Sequence, residues 1–158
     1  MNLATVRQQT AEALLQGELA RAVELLQSAV QHHPDVVALY HELAECHWAS
    51  YAFDRAMAVY EDAHRVRPET MATCTLAAKK LFGLARFEES VRWLQRALES
   101  APKDVPLLAM LAEVLDRSNH LPEAEQCARA ALDLDPSHVR SHRILAHLER
   151  RQGRITDA

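Results

Sequence analysis

The sequence predicts an all-α fold, an α-solenoid of stacked helix pairs, and three observations predict it. Four prolines, Pro34, Pro68, Pro102 and Pro136, stand thirty-four residues apart, and a fixed period of that size marks a repeat architecture. Between consecutive prolines, apolar residues recur at helical spacing in two segments separated by a short break, as in Val37–Pro68 with its break at Ser50-Tyr51. Apolar residues make up 49% of the 158-residue chain while aromatics are 5% and glycine occurs only three times. That Ala- and Leu-rich balance favours helices in close contact over strands.

Units fall at about residues 3–36, 37–70, 71–104 and 105–138, with a partial unit at 139–158, all within one solenoid domain. In the first unit Val6, Ala13 and Leu14 are the apolar positions of the opening helix. Gln9 and Thr10 stand where later units carry Leu-Ala or Ala-Ala. A polar opening helix is expected where one face of a stack meets solvent. Gly17 ends it, and the second helix, from Leu19 to about His32, aligns Ala22, Val23, Leu26, Ala29 and Val30 on one face.

The second unit repeats the plan with Tyr40, Leu43, Ala44 and His47, then Phe53, Ala56, Val59, Tyr60 and Ala63. The third has Cys74, Ala77, Ala78 and Leu81, then Phe87, Val91, Leu94, Ala97 and Leu98. The fourth has Leu108, Leu111, Ala112 and Leu115, then Leu121, Ala124, Ala128 and Ala131. A fifth opens at Val139 with Ile144, Leu145, Ala146 and Leu148, turns at Gly153, and reaches Ile155 and Ala158 where its second helix should start. That ending suggests a piece of a longer chain. The alternative is a terminus with one spare, capping helix.

Small side chains recur with the prolines. Ala29, Ala63, Ala97 and Ala131 lie five residues before each, and Ala22, Ala56, Ser90 and Ala124 lie twelve before. They allow close helix approach, so enlarging one costs about 1–3 kcal/mol through overpacking. Proline cannot continue the helix and marks the corner into the next unit.

Charge and composition narrow the function. The net charge of −4 argues against a general nucleic-acid binder, which needs a basic footprint. Cys46, Cys74 and Cys127 have no paired spacing and read as free thiols of a reducing compartment. No signal-peptide run or membrane-length apolar segment is found, so the expected location is cytoplasmic, with no membrane partner. The three glycines form no phosphate-binding loop. His41-Glu42 followed by His47 lacks the four-residue spacing of a zinc-protease helix, and His138 with His142 has no assured third ligand, so no metal or other cofactor is expected. No nucleophile, base and orienting acid share a face, which argues against an enzyme.

The repeats resemble the tetratricopeptide repeat family, whose thirty-four-residue pattern is W-x2-L-G-x2-Y, then A-x3-F, then P. The second unit offers Tyr40, Leu43-Ala44 and His47, then Ala56, Tyr60 and Pro68. The fourth offers Leu108, Leu111-Ala112 and Leu115, then Ala124, Ala128 and Pro136. The resemblance spans essentially the whole chain. Its departures are the missing Leu-Gly-type pair of the first unit, Ser90 in place of Ala, and His47 and Ala128 in place of aromatics. It implies antiparallel helix pairs stacked into a right-handed superhelix, with a concave groove that is lined by the first helices and receives a peptide or a partner's helix.

On that resemblance, register nominates the groove residues. They are Arg7, Ala11 and Leu14, then His41, Glu45 and Trp48, then Thr75, Lys79 and Phe82, then Ala109, Glu113 and Asp116. The fifth unit adds Arg140, Arg143, His147, Arg150 and Arg151. Trp48 and Phe82 precede small residues, Ala49 and Gly83, and aromatic anchors beside open space suit a binding hot spot. Packing of these rings against a neighbouring helix is the alternative. Residues 139–158 carry net +3 while residues 1–138 carry net −7, so the arginine stripe suits carboxylate or phosphate groups of an acidic partner. A solvated end helix is the alternative there. The Lys, Asn and Arg clamp that family members use for acidic chaperone tails is absent in every register.

The sequence thus predicts a non-catalytic protein–protein interaction scaffold. The alternatives are the repeat-bearing region of a larger bacterial enzyme, for example a transferase, and a solenoid that self-associates through its ends.

Overall fold

The computed structural model describes residues 2–151 and 153, and among them every regular element is a helix. The helices are α1 (Leu3–Leu15), α2 (Leu19–His32), α3 (Val37–Ala49), α4 (Phe53–Val66), α5 (Met71–Gly83), α6 (Phe87–Ser100), α7 (Val105–Arg117), α8 (Leu121–Leu134) and α9 (Val139–Arg151). Odd-numbered helices open a repeat and even-numbered ones close it. The expected start of a further helix at Ile155 and Ala158 lies outside the described residues.

Contacts divide the chain after Glu69 into two compact units. In the first, α1 packs on α2, α2 on α3, and α3 on α4. Its core is built from Val6, Ala13, Ala22, Leu26, Ala29, Leu39, Leu43 and Cys46, with Leu3, Val23, Val30, Val36 and Val59 packed at its margin. In the second, α5 to α9 each pack on the next helix and α7 also meets α9. Burying each valine and leucine of the first unit's core contributes about 1.5–3 kcal/mol.

Each helix pair is turned by the same main-chain device. Gly17, Tyr51, Ala85, Asn119 and Gly153 recur every thirty-four residues, and all five have left-handed φ angles between 57° and 75°. In the first unit the amide of Glu18 donates to the carbonyl of Ala13 at 2.8 Å, and that of Gly17 to Leu14 at 3.1 Å. The same pair of bonds recurs at Tyr51-Ala52, Ala85-Arg86 and Asn119-His120. This is the Schellman geometry, which satisfies helix-end carbonyls and reverses the chain.

The second corner works through proline. His33, Arg67, Ala101 and Asp135 precede the four prolines, and their φ angles of −136° to −143° are extended. Proline disfavours helical geometry in the residue before it. The amide of each of these residues still donates to the alanine carbonyl four residues earlier. Those alanines, Ala29, Ala63, Ala97 and Ala131, are at most 1% exposed, and Ala22, Ala56, Ser90 and Ala124 are fully buried. Ser90 fits this small position because its hydroxyl donates to the Ala78 carbonyl at 2.9 Å.

Several positions depart from the sequence expectation. Thr10, expected to be solvent-facing, is 5% exposed. Spacings of four and three place it on one stripe with Val6 and Ala13, and its hydroxyl has no hydrogen-bond partner among the described residues. Val139 is 79% exposed, because it stands at the first residue of α9, ahead of the turns that reach the core. Ala146 is exposed as well; Ile144 and Leu148, four apart, carry the packing stripe of α9 instead.

Candidate binding clefts

In the first unit, a cleft of about 590 Å³ opens among α1, α2 and α3. Its walls include Arg7, Ala11, Leu14, His41 and Glu45, all nominated by register, together with Leu19, Leu26 and Ala49. Its size has a local cause. Leu14 and Leu19 occupy the positions that the second and third repeats give to the ring pairs Trp48–Phe53 and Phe82–Phe87. Arg7 sits 3.4 Å from Glu42 across the α1–α3 seam.

Glu45 is fixed from below. The Tyr60 hydroxyl donates to Glu45 Oε1 at 2.9 Å, and the Tyr60 ring lies 6.0 Å from the His41 ring. Burial, with this hydrogen bond, pushes the Tyr60 phenol well above its ordinary value. Burial pushes the His41 imidazole down, opposed by the nearby Glu45 charge. His47 is also pushed down, by burial first and then by Arg55.

Trp48 does not line this cleft. Its ring packs at a tilt on Phe53 of α4 with centroids 4.7 Å apart, and Tyr51 meets Phe53 edge-on at 6.0 Å. Phe82 makes the equivalent contact with Phe87 at 5.6 Å. Both rings therefore pack on the second helix of their own repeat. A Cβ at Gly83 would meet nothing within 4 Å, so one side of that region remains open.

In the second unit, a cleft of about 200 Å³ is lined by Lys79, Phe82, Met110, Glu113 and Arg140. A second, of about 310 Å³, lies between α7 and α9 and is lined by Glu113, Asp116, Arg117, Arg143, His147 and Arg150. Thr75 lines neither; its hydroxyl donates back to the Met71 carbonyl at 2.9 Å.

Two nominated positions are corrected. Ala109 is fully buried, since its methyl lies on the packed side of α7. Asp116 is 6% exposed, because Arg151 closes over it. The Arg151 guanidinium donates to the Asp116 carboxylate, and to the Asp116 backbone carbonyl at 2.8 Å. It also reaches Asn119 Oδ1 at 2.9 Å. His147 Nε2 approaches the other carboxylate oxygen at 3.4 Å. Arg140 likewise donates to Glu113. The arginine stripe is thus divided: Arg140 and Arg151 engage acids of α7, while Arg143 and Arg150 have no ion pair among the described residues.

Sequence reasoning missed Arg117, whose guanidinium carbon lies 5.6 Å from the ring centroids of both Phe82 and Phe87. It also missed Tyr60 as the prop of Glu45. One signal could have found the ion pairs. Arg7–Glu42 and Asp116–Arg151 are opposite charges one repeat plus one residue apart, the separation that brings successive first helices into register.

Paired helices turned by left-handed and proline corners at a thirty-four-residue period define a helical-repeat protein of the α-solenoid class. The family profile described as tetratricopeptide repeat matches residues 13–70 and 81–148, and the chain belongs to that family. No curated protein matches it in sequence. Among solved structures it is similar to a tetratricopeptide repeat protein from Parabacteroides merdae, at 19% identity and TM-score 0.78, over 96% of this chain and 60% of that one. It is similar to MamA from Desulfovibrio magneticus RS-1 at 18% identity and TM-score 0.71, over 95% and 85% of the two chains. YrrB, described as a tetratricopeptide repeat protein with an unusual peptide-binding site, aligns at 18% identity and TM-score 0.69, over 92% and 75%. At these identities the likeness concerns the fold. Among the described residues no helix is long and apolar enough to cross a membrane.

Proposed function

We propose that this protein is a non-catalytic interaction module that binds polypeptide segments in the clefts along the first helices of its repeats. The observation that supports it most is that the clefts are lined at positions whose residues vary among the repeats, as Ala11, Glu45, Lys79 and Glu113 do at one position. Arg7, Ala11, Leu14, His41 and Glu45 line the α1–α3 cleft, and Lys79, Phe82, Glu113 and Arg140 line the α5–α7 cleft. The prolines and the alanines five residues before them recur in all four complete repeats. A peptide as ligand class agrees with the peptide-binding site named for YrrB. Apolar walls with a few charged groups at the rim suit an extended or helical segment carrying one or two apolar anchors. At the α9 end the partner is acidic, because the charges lining the α7–α9 cleft that make no ion pair among the described residues are all arginines. The buried thiols of Cys46 and Cys74 fit work in a reducing compartment such as the cytoplasm.

Selection of displayed peptides against the protein tests this reading, followed by binding of the winners to Ala11→Trp, which fills the first cleft, and to Lys79→Glu. The winners should lose about tenfold or more in affinity to one of the two variants. Equal binding to both, with footprints on α8 around Glu125 and Arg129 instead, would overturn it.

A further inference from the structure

We propose that the cleft between α7 and α9 is a site for the carboxylates of an acidic polypeptide segment, held by Arg117, Arg143 and Arg150. This deepens the reading above and rests on it. Five charged side chains and His147 face this cleft of about 310 Å³. Its two acids are each engaged by an arginine that is not part of its lining: Arg140 holds Glu113 and Arg151 holds Asp116. Arg117, Arg143 and Arg150 are exposed and make no ion pair among the described residues. The acids within reach are therefore already neutralised, and three guanidinium charges face one concavity.

Arg117 is also held in place. Its guanidinium lies over Phe82 and Phe87 at 5.6 Å from each centroid, a contact that orients the group without cancelling its charge. An oriented guanidinium loses less freedom when it binds and presents a fork that matches a carboxylate with two parallel hydrogen bonds. Asp116 contributes indirectly, because its bond to Arg151 fixes the end of α9 close to Arg150.

Charge decides the occupant. Three arginines complement two or three carboxylates of one short peptide segment. A nucleic-acid site would need a longer basic track to neutralise successive phosphates, and the chain as a whole carries net −4. The site differs from the three-repeat clamp sought in the sequence, since it uses two adjacent first helices and a residue, Arg117, at the last turn of α7.

The test is fluorescence anisotropy with a labelled hexaglutamate peptide and a neutral peptide of equal length. The wild-type protein should bind the acidic probe and ignore the neutral one, more tightly at low salt. Arg143→Glu with Arg150→Glu should weaken binding about tenfold or more, and Arg117→Gln should weaken it too. Arg92→Glu with Lys103→Glu makes the same charge change on exposed residues elsewhere in this unit and should leave the affinity within about twofold. All five sites are exposed, so unchanged melting curves are expected. Equal weakening by both double variants would reduce the effect to bulk charge and overturn the proposal. So would failure to bind hexaglutamate, or tighter binding of a single-stranded oligonucleotide that depends on the same arginines. Loss of this site alone, with selected peptides still held at Ala11 or Lys79, would leave the broader reading standing.

Discussion

The Tyr60 hydroxyl, buried on α4, donates a 2.9 Å hydrogen bond to the carboxylate of Glu45, which faces the cleft on α3. A scaffold residue thus sets the position of a candidate recognition residue. Tyr60→Phe should cost about 1 kcal/mol in urea unfolding, the usual worth of one such bond. The fold should persist, since the ring that fills the core is kept. The phenol's folded pKa is raised above its ordinary 10.0, so its contribution is complete below pH 10 and is lost as pH rises above it. Alkaline unfolding should therefore be less steep in the Phe variant; equal steepness would remove Tyr60 from the account.

Two histidines of the first unit should make it sensitive to acid. Burial pushes both His41 and His47 below the ordinary 6.5. The folded state therefore prefers the neutral ring, and stability present above pH 6.5 falls as pH drops below it. His47→Gln should flatten that fall in melting temperature between about pH 6.5 and 5. An unchanged slope would mean that His47 is protonated at no cost to the fold.

Ala85 occupies a left-handed turn position, φ 57°, that Gly17 and Gly153 fill elsewhere. A side chain in that conformation costs about 1 kcal/mol or more, part of which glycine gives back through a more flexible unfolded chain. Ala85→Gly should raise stability by about 0.5 kcal/mol, read as a higher melting temperature. A lower value would show that the other turn contacts of Ala85 outweigh its backbone strain.

Arg151→Ala should be the costly change on α9. It leaves the Asp116 carboxylate, 6% exposed, with His147 at 3.4 Å as its ion pair among the described residues. The expected loss is about 1–3 kcal/mol, partly recovered by adding Asp116→Asn, so that a double-mutant cycle shows coupling. Arg143→Ala should be nearly neutral by the same measurement. Equal effects would mean that Arg151 and Asp116 do not depend on each other.

The helix pairs were legible because two signals repeat together. Ala63 and Pro68, with their counterparts, state where the second helix packs and where it stops. The left-handed corners were half legible. Gly17 and Gly153 announce them, and the break at Ser50-Tyr51 gives the place of another. Asn119 is of a type that tolerates the geometry. Ala85 gives no sign, since the geometry there is imposed by the two main-chain bonds that close the turn. Register placed Glu45 and Lys79 on exposed faces correctly. It could not place Trp48, whose neighbour Phe53 draws the ring out of the cleft. The engagement of Arg151 by Asp116 was half legible, since the two lie one repeat plus one residue apart. That of Arg140 by Glu113, twenty-seven residues apart, depends on side-chain reach across helices.

The corners that close each pair use amides and carbonyls, which every residue but proline supplies. Inheritance of shape and inheritance of recognition are therefore carried largely by different positions. Substitutions along α3 or α7 can accumulate without disturbing the reversals at Tyr51 or Asn119. A duplicated repeat would inherit these corners and the packing positions that its neighbours need, with its cleft-facing positions open to change.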